Sequence, residues 1–126
     1  MFDPIDTGIA PPKGPVTATL RAGNIVYSAH IPKDPLTGAI VEGDIETQAR
    51  QALRNLDQAM RAAGGSLANV VHMAIYLIDR ADAGGMNAVY TEFFKPPYPC
   101  RATVVVKELL SPGVRIEFVA TAVLET

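Results

Sequence analysis

The sequence predicts one α+β domain, a mixed sheet carrying two helices on one face, in the element order ββαβαββ. Three observations lead there. Apolar residues recur at three- and four-residue spacing in two stretches, near residues 44–63 and 81–94. The remaining apolar stretches are short, rich in β-branched residues and bounded by glycine, asparagine or proline, as strands are. The chain has 126 residues, 48% hydrophobic and 19% charged, which supplies one apolar core and leaves no room for a second domain.

The first fifteen residues hold Pro4, Pro11, Pro12 and Pro15 with Gly8 and Gly14. That composition resists regular structure and predicts an extended proline-rich arm over residues 1–15. Residues 16–21 and 25–28 flank the Gly23-Asn24 turn signal and read as a hairpin. Asp34-Pro35 and Thr37-Gly38 make residues 32–38 a loop. From Asp44 onward, Ile45, Ala49, Ala52, Leu53, Leu56, Met60 and Ala63 share a stripe, while Arg50, Arg54, Asp57 and Arg61 interleave. The reading is an amphipathic helix capped by Asp44 and ended by Gly64-Gly65. Residues 70–77 form a strand whose alternation puts Val71, Met73, Ile75 and Leu77 on one face and Val70, His72, Ala74 and Tyr76 on the other. Both faces are largely apolar, so both require cover. A second helix over residues 81–94 carries the stripe Met86, Val89, Tyr90, Phe93, with Asp79 or Asp82 near its start. Pro96-Pro97-Tyr98-Pro99 ends it. Two final strands, residues 101–106 and 115–123, are separated by Ser111-Pro112-Gly113.

Helices between strands imply crossover connections, and two helices cover only one face of a shared sheet. The other face carries valine and alanine among polar residues, too apolar to stay wet, which predicts a homo-oligomer. Eleven basic against thirteen acidic residues give a formal charge of -2, no field for gathering nucleic acid or an anionic membrane. No apolar run approaches the roughly 20 residues that span a bilayer. Residues 1–7 open with Asp3 and Asp6 and lack a basic flank or apolar core, so they do not read as a secretory signal. The single Cys100 rules out an internal disulfide and suits a reducing compartment, so the expected location is cytoplasmic. The two histidines and one cysteine lack metal-ligand spacing, and there is no G-x-G-x-x-G, so no metal or cofactor is expected.

Arg101 is the most informative residue, because it enters a valine-rich strand where a guanidinium without a partner is unexpected. If Arg101 and Thr103 share one strand face and Glu117 follows the register of Arg115, Val119, Thr121 and Val123, a cation, a hydroxyl and a carboxylate can converge across the sheet. The residues equally allow a strand-edge arginine paired with a structural glutamate, and spacing alone leaves both open. His30 stands in a strand-to-loop region typical of hydrogen-bonded or surface histidines. His72 is assigned to packing or a subunit interface. Cys100 has no paired histidine or resolving cysteine and reads as a plain thiol. Tyr90 belongs to the core.

Read together, Gly14-Pro15, Gly23-Asn24, Ser28-Ala29-His30, Asp34-Pro35-Leu36-Thr37-Gly38, Gln48, Asn55, Ala62-Ala63-Gly64, Asn87, Tyr90, Phe93-Phe94, Pro99-Cys100-Arg101 and Glu117 stand in an order that resembles the reactive intermediate deaminase family (RidA-type, YjgF-like). The resemblance spans residues 14–123. It implies a chorismate-mutase-like fold, a homotrimer, and sites in the clefts between subunits. It also implies hydrolysis of small carboxylated imines or enamines to 2-oxo acids and ammonia, without a cofactor. The matching roles are carboxylate binding for Arg101 and positioning or deprotonating water for Glu117, with Ser28, Ala29, Asn87, Thr103 and Val16 lining the substrate pocket. Four positions depart from the family pattern: Val16 stands for its tyrosine, Ala29 for glycine, His30 for glutamine and Thr103 for cysteine. Arg101 and Glu117 favour an enzyme. Val16 and Thr103 favour the alternative, a non-catalytic trimer that binds a small carboxylate or regulates a partner enzyme. A ribonuclease role would need a basic groove, which the composition does not supply.

Overall fold

A computed structural model describes residues 1–125. The expected α+β architecture is present. Strands β1 (Asp3–Pro4), β2 (Thr19–Ala22), β3 (Ile25–His30), β4 (Val70–Leu77), β5 (Cys100–Val105) and β6 (Ile116–Val123) form one sheet in the order β1-β2-β3-β6-β4-β5. The helices are α1 (Ile45–Ala62) and α2 (Ala83–Phe93). Only β4 and β5 pair in parallel, and α2 lies in the crossover that this pairing requires.

Three details differ from the sequence expectation. The proline-rich arm contributes β1, which pairs Asp3 with Arg21 and Pro4 with Leu20. This strand sits at the sheet edge, where a proline without an N–H costs no ladder bond. The hairpin's first strand starts at Thr19 rather than residue 16. A register shift between Val70 and His72, where β4 meets β6, is the third difference. It turns Val70 inward and leaves Val71 exposed, the reverse of simple alternation.

Asp44 caps α1 by accepting a hydrogen bond from the Thr47 N–H at 2.9 Å, and Gly64 follows the helix in the left-handed region at φ +95°. The stripe of α1, including Leu53, Leu56 and Met60, is fully buried against Met73 and Ile75 of β4 and Phe118 of β6 in one core. Two polar residues of α1 are buried with it. Gln48 donates to the carbonyls of Val41 and Gly113 and accepts from the Arg115 N–H, while Asn55 donates to the carbonyls of Ile31 and Lys33 and accepts from Gln51. Each amide thus ties a loop to the helix at no cost in unpaired groups. Asp82, also buried, holds Arg115 through two hydrogen bonds of 2.8 and 3.1 Å. Gly85 lets α2 approach α1, since a Cβ there would stand 2.7 Å from Ile45 Cγ2.

Ile116, Phe118, Ala120 and Ala122 of β6 point into the core, and Glu117, Val119, Thr121 and Val123 point to the opposite face, as the alternation predicts. That face also carries the exposed Tyr27 and Val104. All six residues of β5 are exposed.

Candidate functional site in two halves

The register decides where the two charged candidates stand. Glu117 pairs with Tyr76 on the face away from the helices, whereas Arg101 pairs with the core residue Met73 on the helix side. Within each strand the alternation is as expected, Thr103 sharing the face of Arg101 by its pairing with Ile75. Between strands the expected convergence does not occur in one chain: Arg101 and Glu117 lie on opposite faces of the sheet. The strand-edge ion pair is also absent, since neither residue belongs to a salt bridge among the described residues. Arg101 needs no buried counter-ion because β5 is an exposed edge strand.

Glu117 opens into a cleft of about 1170 Å³ walled by the N-terminal arm and by the loops before α1 and β6. Val16, Ala29 and Lys33 line it too, so the structure brings Val16, Ala29 and Glu117 together. Burial alone pushes the Glu117 carboxyl above the ordinary 4.5. Lys33 reaches across the cleft wall, its Nζ donating to the Ala10 carbonyl at 2.5 Å. Nothing in the sequence pattern flagged it.

His30 is buried at the side of this cleft, its Nε2 2.6 Å from the Ser28 hydroxyl, which lies 2.7 Å from the Thr19 hydroxyl. Burial, and second the nearby Lys33 charge, push its pKa down to about 4. The imidazole is therefore neutral at pH 7. Ser28 is 2% exposed, so its hydroxyl is committed to this internal chain rather than open to a ligand.

A second cavity, of about 320 Å³, is lined by Asn87, Tyr90, Thr91, Tyr98, Pro99 and Arg101. The guanidinium carbon of Arg101 lies 4.8 Å from the centroid of the Tyr90 ring. Asn87, expected at the site, stands beside it on α2; Thr103 lies further along β5 and does not line this cavity. Tyr98 is brought into this cavity by the proline cluster that ends α2, a segment whose sequence signals only a helix stop. His72 is exposed, Cys100 is an exposed free thiol, and no cluster of three or more metal-ligating residues occurs among the described residues. No helix among them is long and apolar enough to cross a membrane.

The family model described as Endoribonuclease L-PSP matches residues 7–124. A RutC family protein of Pyrococcus horikoshii is 44% identical over 111 residues, covering 86% of this chain and 88% of that one. The human 2-iminobutanoate/2-iminopropanoate deaminase is 36% identical over 111 residues, covering 87% and 80%. Among solved structures, Escherichia coli TdcF with bound serine superposes with a TM-score of 0.88 at 34% identity, over 98% of this chain and 99% of that one. A fold shared over nearly the full length, at identities in this range and with a family model spanning strands β2 to β6 and both helices, makes this chain a member of the RidA-type reactive intermediate deaminase family.

Proposed function

We propose that the protein is an imine and enamine deaminase that hydrolyses small carboxylated imines to 2-oxo acids and ammonia, at sites each built from two copies of the chain. One observation carries this reading: a guanidinium and a half-buried carboxylate, neither in an ion pair among the described residues, stand on opposite faces of one sheet, each at its own cavity. Neither half can bind and hydrolyse alone. A neighbouring copy that covers the apolar outer face, with Tyr27, Val104, Val119 and Val123, brings its Arg101 half to the Glu117 half. A closed ring of three copies, as the family resemblance implies, completes three sites.

The chemistry then follows from the groups present. The planar Arg101 guanidinium takes the substrate carboxylate through two charge-assisted hydrogen bonds, fixing the adjacent imine carbon. Glu117, ionised, accepts a proton from water as the water oxygen bonds to that carbon and the C=N electron pair moves onto a protonated nitrogen. Glu117 returns that proton to the carbinolamine nitrogen and takes up the hydroxyl proton as the C–N bond breaks, so that ammonia leaves, carries the last proton away as ammonium, and the 2-oxo acid remains. An enamine enters the same route after protonation at carbon. Val16, where the family pattern has tyrosine, puts an aliphatic side chain without a hydroxyl in the wall of the Glu117 cleft. We place the protein in the cytoplasm, where an exposed cysteine stays reduced.

The test is a coupled assay in which an amino acid oxidase generates imines of alanine and leucine, run beside calorimetry with the same carboxylates. Faster imine loss than in buffer supports the enzyme; tight carboxylate binding without turnover supports the binding-protein alternative and overturns the proposal. The pH profile gives a second check. Because burial raises the Glu117 pKa, the acid limb of kcat/KM should fall away as pH drops through a value above 4.5, the base being lost to protonation. Glu117→Gln should abolish that limb and lower kcat by roughly 10²- to 10⁴-fold. A limb unchanged in Glu117→Gln would remove Glu117 from the reaction.

A further inference from the structure

We propose that Tyr90 is a positioning residue for Arg101, its ring face holding the guanidinium ready for a carboxylate; this rests on the assignment of Arg101 to substrate binding. Arg101 is an exposed, long side chain on an edge strand and has no hydrogen bond or ion pair among the described residues. An arginine so placed loses much rotamer freedom when it captures a ligand. The Tyr90 ring stands with its centroid 4.8 Å from the guanidinium carbon, within the range of a cation–π contact.

The ring itself cannot drift. Tyr90 is 3% exposed and stacks on Phe94 at 4.5 Å between centroids and 25° between planes, with Tyr98 at 6.5 Å. Burial raises its pKa against the opposing pull of Arg101, so the phenol is neutral and offers a π face rather than a charge. Among the described residues its hydroxyl is buried without a partner, a cost that phenylalanine would avoid. The hydroxyl therefore takes no part in the positioning, and the ring is the working element. Asn87, one turn earlier on α2, and Tyr98 then frame the cavity into which the fixed guanidinium faces.

The experiment measures KM and kcat for the imine of alanine in Tyr90→Leu and Tyr90→Phe, each also in an Arg101→Gln background, with thermal unfolding as a control. Tyr90→Phe keeps the face and should retain KM within about twofold. Tyr90→Leu should raise KM roughly 3- to 30-fold, the range of a cation–π contact from exposed to desolvated. In the Arg101→Gln background the same change should alter KM less than about twofold, since the partner is gone. If Tyr90→Leu does not fold, Tyr90→Met takes its place with the same expectation. A folded variant without the ring that keeps wild-type KM overturns the inference, and so does Tyr90→Phe failing as badly as Tyr90→Leu. Arg101→Gln with wild-type KM and kcat would instead overturn the underlying assignment of Arg101.

Discussion

Arg101→Ala is expected to lose nearly all imine hydrolysis while keeping its fold and assembly. The side chain is exposed and takes no part in a hydrogen bond or ion pair among the described residues, so its removal leaves the core untouched. On the proposed assignment, the same guanidinium faces the substrate carboxylate away from water in the occupied cleft. Truncating one member of such a desolvated pair costs on the order of 2–5 kcal/mol, roughly 30- to 5,000-fold in kcat/KM. Steady-state kinetics on imines of alanine and leucine, with circular dichroism and sedimentation for fold and assembly, make the comparison. An Arg101→Ala protein with full activity would end the assignment.

The other large effect concerns acid stability and belongs to His30. Its folded pKa of about 4 lies below the ordinary 6.5. Between these values the unfolded chain binds a proton that the folded chain refuses. Stability present above pH 6.5 is therefore lost as pH falls toward 4, by about 3 kcal/mol from this group. Glu117 acts in the opposite sense, because its raised pKa lets the folded chain hold a proton in a window above 4.5. His30→Gln removes the first effect and leaves the second, and glutamine can still meet the Ser28 hydroxyl. Urea unfolding from pH 7 to pH 4 should show a steep loss in the wild type and a much flatter one in His30→Gln. Equal slopes would mean that His30 is charged in the folded chain.

How much of this was legible in the sequence depends on which contacts fix each feature. Both helices and the alternation of β6 were readable because each buries one regular stripe. The β1 strand was hidden because its pairing depends on an edge that tolerates Pro4, which no local pattern records. The bulge at Val71 was hidden because Val70 and Val71 are equally apolar. The division of the site has a further cause. Period-two alternation sets parity within a strand, but relating β5 to β6 requires knowing that β4 lies between them. With β5 exposed throughout, no buried face of that strand marks the helix side. Ser28 was named for a pocket on its motif, and its place beneath the sheet follows from pairing with Thr19. Lys33 and Tyr98 come into the clefts through loops, where no periodicity aims a side chain.

Complementation between two inactive variants tests the central claim, that each site joins the Arg101 half of one chain to the Glu117 half of another. Arg101→Ala and Glu117→Gln proteins are unfolded together, refolded as a 1:1 mixture and assayed against each variant treated alone. In a ring of three randomly mixed chains, roughly a quarter of the interfaces unite an intact Arg101 with an intact Glu117, so about a quarter of the wild-type rate should return. A mixture as inactive as its components, with mixed assemblies verified by mass spectrometry, would contradict a site shared between chains.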